Sequence, residues 1–296
     1  MTVTCSEHPA SLQGRPATRR KVADAAALAA SYVALAMIAV PTIWVVAGVL
    51  QRAVPGWSWG VLTHTGAAGA GGLENEILGS LVLTAGTLVL AGGVGVLAGI
   101  YLAEYATGPA GAVLRGASEV LAGIPSIVLG YVGYLALVVA LHWSFSLAAG
   151  LVTLAVMTVP YVMKSTEVAL RQVPSAYREG AEALGFSPLQ ALRRISLRTA
   201  LPGIVTGILV ALAISVGETA PLLYTAGFTS ANPSAALVHR PIAFLTYAIW
   251  TFYNQPSKSA VQLSFDAALI LLVIVLLLIV VGRVIVSLSE RHAETR

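Results

Sequence analysis

The sequence predicts an all-α, polytopic membrane protein with six transmembrane helices. Three observations carry that expectation: the scarcity of charge, the length of the apolar runs, and the uneven placement of lysine and arginine. Hydrophobic residues make up 57% of the 296-residue chain and charged residues 10%, against roughly 25% charged in an average soluble domain. So few charges cannot cover a surface that faces water. The composition excludes aqueous enzymes, disulfide-stapled secreted domains, disordered tails and nucleic-acid binders, and it makes the lipid bilayer the expected surroundings. The single cysteine, Cys5, has no intrachain partner, so no disulfide framework exists.

A helix needs about 20 predominantly apolar residues to cross a hydrocarbon core roughly 30 Å thick. Six stretches reach that length: 25–50, 77–105, 113–141, 147–168, 200–224 and 263–286. The first follows a basic leader, 1–24, and is too long for a signal-peptide core, so it reads as a retained helix. An outer loop, 51–76, separates it from a five-helix core, 77–286. Glu74 and Glu76 read as the solvated start of the second span, in which Gly92, Gly93, Gly95 and Gly99 allow close helix approach. In the third, Pro125-Ser126 suits either a kink near a pathway or plain helix entry. Lys164 and Glu167, three apart at the end of the fourth, read as a surface pair. Pro202-Gly203 is expected to mark the bend into the fifth, which also contains Glu218 and Pro221. The tail is 287–296.

Orientation follows from lysine and arginine, which concentrate on the cytoplasmic side of a membrane protein. Fourteen of the seventeen basic residues fall on one side, leaving Arg52, Arg240 and Lys258 on the other. That bias places both termini in the cytoplasm. On the outer side, Trp57 and Trp59 suit headgroup-level anchors, and the glycine-rich run 66–72 suits a surface loop. Residues 231–262 are too interrupted to span and are expected at the outer interface, partly helical.

Catalytic constellations are missing. The five histidines are scattered, without paired metal-ligand spacing, and neither Lys164-Ser165 nor Lys258-Ser259 carries the glycines of a phosphate loop. The chain is therefore not expected to be an enzyme, to hydrolyse ATP itself, or to hold a metal or cofactor.

The informative stretch is the longest cytoplasmic connection, 171–198. Ser175 is expected to cap a first short helix entered after Pro174, and Gly185 suits its left-handed end. Ser187-Pro188-Leu189-Gln190 restarts the chain with a capping box and a proline at the first helical position. The first helix displays Tyr177, Leu184 and Phe186 beside charges, as would a helix docking in a groove on another protein. An ordinary capped loop resting on headgroups is the competing reading. Glu218 is the sharpest single site, because an acid inside a span costs a few kcal/mol unless paired or wetted. Pro221 beside it leaves a carbonyl unpartnered and suits a gate hinge.

The stretch Glu179-Gly180-Ala181-Glu182-Ala183-Leu184-Gly185, with Ile195-Ser196-Leu197 beyond it, resembles the cytoplasmic signature of ABC-importer permeases, E-A-A-x-x-x-G followed by I-x-L-P. Three further segments are similar to the A-type permease subunits of phosphate-specific ABC transporters: Ile100-Tyr101-Leu102-Ala103-Glu104-Tyr105, the run from Gly123 to Gly130, and Gly217-Glu218-Thr219-Ala220-Pro221-Leu222-Leu223. The resemblance implies a type I, MetI-like permease in the cytoplasmic membrane of a prokaryote, importing inorganic phosphate. It implies a sister permease in a heterodimer, two ATP-binding subunits beneath and an extracytoplasmic phosphate-binding protein above. It makes Tyr177, Glu179, Gly180, Ala181, Leu184, Gly185 and Phe186 the coupling residues toward the ATPases. It places Glu218, Thr219, Pro221, Pro125, Ser126 and Arg240 along the translocation path or gate. The sequence departs from the pattern at three places: Gly180 replaces the first alanine, Arg198 stands at the proline of L-P, and Ile214 stands where many relatives carry an arginine. Positive charge for the path is then expected from the sister subunit or Arg240. Another oxyanion, molybdate or sulfate, and a gradient-driven secondary transporter stay open as alternatives.

Overall fold

Hydrocarbon offers no partners to peptide N–H and C=O groups, so a chain that lives in it winds into helices that satisfy their own backbone. The computed structural model describes residues 17–66, 71–106 and 108–294, and among them there are helices and no strand. The basic leader up to residue 16, residues 67–70 of the glycine-rich run, and 295–296 of the tail lie outside the described residues. The chain divides into two compact units, residues 1–51 and 52–296. The described residues of the first belong to one helix, α1 (Ala17–Ala53), with Pro41 inside it.

In the second unit, α2 (Glu74–Thr87) and α3 (Gly93–Glu104) are joined by a π-wound turn, Leu88–Gly92, into one long span. Then come α4 (Pro109–Gly123), α5 (Ser126–Gly133) with a π-wound continuation over Tyr134–Ala140, and α6 (Leu147–Arg171). Two short helices follow, α7 (Ser175–Ala183) and α8 (Pro188–Ala191). The latter runs through a π turn, Leu192–Ser196, into α9 (Leu197–Val216). The chain closes with α10 (Ala220–Thr225), α11 (Leu245–Tyr253) and α12 (Lys258–Glu294).

The most enclosed span is α6, against which α2, α3, α4, α5, α9 and α10 all pack. Between apolar helices in an apolar solvent, close approach matters more than hydrophobicity, and small residues permit it. A Cβ on Gly95 would lie 2.7 Å from Val162, and one on Gly99 would lie 2.7 Å from the Met163 carbonyl. Only glycine lets α3 lie so near α6. Gly92 and Gly93 play no such part: at Gly93 nothing lies within 4 Å, and at Gly92 only a leucine tip of its own helix.

Two expected spans are corrected. The third is not one helix over 113–141 but two, α4 and α5, bent by 98° at Ile124-Pro125. Proline drives the residue before it into extended backbone, and Ile124 sits at φ −71°, ψ 129°. The fifth starts earlier than expected and runs on through Pro202, so Pro202-Gly203 does not interrupt it; Gly203 lets the helix lie close to Ala169. That helix stops instead at Gly217, and α10 begins after Glu218-Thr219. The stretch 231–262 is partly helical, as expected, but it does not merely lie at an interface: Ile242, Phe244, Leu245 and Ala248 are core residues.

Candidate functional site

The chemistry sits in two places, a polar end formed by α3, α4, α6 and α7, and the helix breaks flanked by α5, α9 and α10. At the first, α6 ends with Arg171, and the buried Val173 anchors the turn before Pro174. Pro174 itself takes the extended N-cap conformation, so Ser175 is the first helical residue and its hydroxyl caps nothing, contrary to expectation. At the other end of α7, Gly185 adopts φ +76°, Gly185 N donates to the Glu182 carbonyl and Phe186 N donates to that of Ala181. This pair of bonds closes the helix with a left-handed glycine. The capping box is present, with Gln190 N donating to Ser187 Oγ and Ser187 N donating to Gln190 Oε1.

The nine residues of α7 and Leu184, which follows it, divide by face. Ala181 is 1% exposed and seats the helix on the bundle, whereas Tyr177 and Leu184 are 52% and 77% exposed. Glu179, Gly180 and Glu182 share the exposed side. Phe186 is half-buried beneath the Arg194 guanidinium, 5.8 Å from ring centre to Cζ. An isolated helix this short does not hold its shape in water, and an ionic cluster supplies what propensity cannot. Arg178 on α7 forks onto Glu104 at the end of α3, with Nη1 donating to Oε2 at 3.0 Å and Nη2 to Oε1 at 2.7 Å, and Nη2 also reaches the Leu170 carbonyl.

Beside it, Glu167 accepts from Arg115 Nε at 2.6 Å and pairs with Arg171 Nη2 at 2.9 Å, while Arg115 Nη2 donates to the Leu102 carbonyl. Glu167 is therefore buried at a junction, not half of a surface pair with Lys164, which lies instead 3.5 Å from Glu119. Burying a carboxylate is costly unless cations and donors meet it, and two arginines do so here. The pairing of Arg115 with Glu167 and of Arg178 with Glu104 is not expected from sequence, because partners separated by 52 and 74 residues leave no local pattern.

At the second place, Pro125 is the extended N-cap of α5 and Ser126 its first residue. Pro221 has no N–H to continue α9, so Gly217 N and Glu218 N turn back to Ile214 and Ser215 in a tight last turn. The Glu218 carbonyl is taken by the hydroxyl of Thr246 at 3.0 Å. The helices after the two breaks meet: a Cβ on Gly130 of α5 would lie 2.6 Å from Pro221 Cα on α10. Thus Pro125, Ser126, Glu218, Thr219 and Pro221 belong to one joined region. Arg240 does not enter it; it lies exposed on the connection between α10 and α11.

The Glu218 carboxylate is half-buried and has no side-chain hydrogen bond or ion pair among the described residues. An open cavity of about 340 Å³ adjoins the break, lined by Thr219, Ala220, Leu223, Thr246, Ile249 and Trp250. Two hydroxyls that sequence reasoning missed hold this region together: Thr246, and Ser80, whose Oγ accepts from Leu245 N at 2.9 Å to start α11. Glu76 is a further correction, since it is fully buried near Gly66 and Asn75, not solvated; Glu74 is half-buried and accepts from Asn232.

Residues 95–294 match the family model described as "Binding-protein-dependent transport system inner membrane component". The chain is 58% identical over 275 residues, 93% of its own length and 91% of the relative's, to the Phosphate transport system permease protein PstA 2 of Mycobacterium bovis. It is 36% identical to the PstA protein of Yersinia pestis, over 82% of this chain and 83% of that one. Among solved structures, an inward-facing MetNI methionine ABC transporter chain is similar with a TM-score of 0.58 at 22% identity, covering 73% of this chain and 97% of that one. The last likeness carries the fold alone, and it is the fold expected from sequence. The chain, a multi-pass membrane protein, belongs to the family of binding-protein-dependent transport system inner-membrane components, and within it to the PstA permeases.

Proposed function

We propose that this chain is the transmembrane permease subunit of an ATP-driven importer of inorganic phosphate. It lines the translocation path with a sister permease, receives its substrate from an extracytoplasmic binding protein, and is driven by two ATP-binding subunits seated against α7. The observation that carries the reading is α7 itself, a short helix fixed from behind by Arg178 and Ala181 while Tyr177, Glu179 and Leu184 are left facing outward. A rigid lever with a free amphipathic face suits docking in a groove of another protein. The names of the relatives above support phosphate as the cargo. The bias of basic residues supports a cytoplasmic position for α7 and for both termini.

In this reading ATP closes the partner pair and carries α7 with it, and the breaks at Pro125 and Glu218-Thr219 rearrange to open the path. Coupling of this kind requires α7 to contact the open and closed partner states differently. No lysine or arginine occurs between Arg52 and Arg115 or between Arg198 and Arg240, so α2, α3, α10 and all of α9 beyond Arg198 in its first turn bring no cation of their own to the anion. The sister permease supplies it. Glu218 then either pairs with that cation or accepts a hydrogen bond from a phosphate that retains a proton. Sulfate, fully deprotonated near neutral pH, offers no such donor.

The test is purification of the native complex from membranes, with identification of its companions and of the anion that competes for uptake. Recovery of two ATP-binding subunits and uptake suppressed by phosphate but not by sulfate or molybdate are expected. Uptake suppressed by molybdate or sulfate instead reassigns the cargo, and the absence of any ATP-binding companion overturns the reading.

A further inference from the structure

The last turn of α3 is gripped from two sides in a way the path and the docking face do not account for. Leu102 and Glu104 end that helix, and helix C-termini carry partial negative charge on unpaired carbonyls. Arg115, from the second turn of α4, donates to the Leu102 carbonyl at 2.9 Å; Arg178, from the first turn of α7, forks onto the Glu104 carboxylate. Both arginines are also fastened to α6, Arg115 through Glu167 and Arg178 through the Leu170 carbonyl. Among the described residues, the hydrogen bonds that link α7 to α3 are those of Arg178 alone.

We propose that Arg178 and Arg115 form a clamp on the end of α3, and that this clamp passes movement of α7 into α4 and so to the break at Pro125. The proposal rests on the reading of α7 as the docking element. Its physical basis is the geometry of the fork. A two-point guanidinium–carboxylate contact fixes orientation as well as distance, which a single ammonium cannot do. The backbone between Arg171 and Ser175 is short but pivots at single bonds; the fork removes that freedom, so α7 cannot tilt without carrying Glu104 with it. From Glu104 the route continues through Leu102 to Arg115, hence to α4, whose far end is Gly123 beside the 98° break. Arg178 and Arg115 are thus positioning residues, acting through helices and not on the anion.

The test compares phosphate uptake with ATP hydrolysis in proteoliposomes of the complete complex. The variants are Arg178→Lys, Glu104→Gln and the exchanged pair Arg178→Glu with Glu104→Arg. Arg178→Lys keeps a charge and loses the fork; it should assemble with its companions, continue to hydrolyse ATP, and move roughly tenfold less phosphate per ATP. Glu104→Gln should do the same, and the exchanged pair should recover part of the yield. Unchanged phosphate per ATP in assembled single variants overturns the clamp, as does failure of both single variants to assemble, which makes the pair a folding anchor only. If the unmodified complex itself takes up phosphate without consuming ATP, the docking reading of α7 fails instead.

Discussion

The α7 region and the helix breaks are built from opposite materials. Around α7 the chain spends much of its scarce charge: Glu104, Arg115, Glu167, Arg171 and Arg178 are locked to one another and to helix-end carbonyls. Around the breaks, order comes from glycine against proline and from hydroxyls on carbonyls, as at Gly130–Pro221 and Thr246–Glu218. Such an ionic cluster resists reorientation because the two-point Arg178–Glu104 fork fixes an angle. An apolar contact shaped by a glycine can slide or part without stranding a charge. That contrast supports the proposed roles, in which the ion-paired end serves as a rigid lever and the break end moves.

Gly130 offers the strongest way to break that comparison. A side chain there meets backbone, not a pliable tip, so Gly130→Val should cost about 3 kcal/mol or more and appear as a lowered thermal midpoint or loss of the purified complex. An unperturbed midpoint would show that α5 and α10 are not held as described. Next comes Glu218→Gln, which leaves shape intact and removes charge. Phosphate uptake should fall roughly ten- to a hundredfold, the worth of a charged hydrogen bond, with companions still bound; undiminished accumulation makes Glu218 a packing residue.

Smaller effects are expected on the exposed face of α7. Glu179→Lys changes a solvent-facing side chain and should reduce uptake severalfold without altering the fold. Gly185→Asp adds about 1–2 kcal/mol of left-handed backbone strain to the same docking defect. Normal uptake with either variant removes α7 from the coupling route. Least of all, Gly180→Ala should stabilise α7 by at most about 1 kcal/mol, since nothing in the chain lies within 4 Å of the added methyl. Uptake should be unchanged, and a drop would place a partner surface directly against that position.

Much of this was legible in one dimension because lipid imposes long apolar runs and loops declare their caps locally. The capping box at Ser187, the left-handed Gly185 and the stop before Pro221 are all short-range chemistry. The ion-pair cluster was not legible. Whether Glu167 meets Lys164 three residues away or Arg115 across the bundle depends on which face α6 turns to α4, and periodicity cannot say so in a helix apolar nearly all round. Pro125 and Pro202 make the same point. One proline breaks its span and the other is carried inside a helix whose next residue, Gly203, packs closely on Ala169 of α6, a contact that no local pattern in the sequence declares.

The central claim is that the chain has no engine of its own and is worked through α7. It is tested most directly by measuring phosphate accumulation in liposomes containing this chain, its sister permease and binding protein, with and without the ATP-binding subunits. Accumulation is expected only when those subunits and ATP are both present on the side of α7, at a rate indifferent to ionophores that abolish ion gradients. Accumulation driven by a proton or sodium gradient in their absence would contradict it.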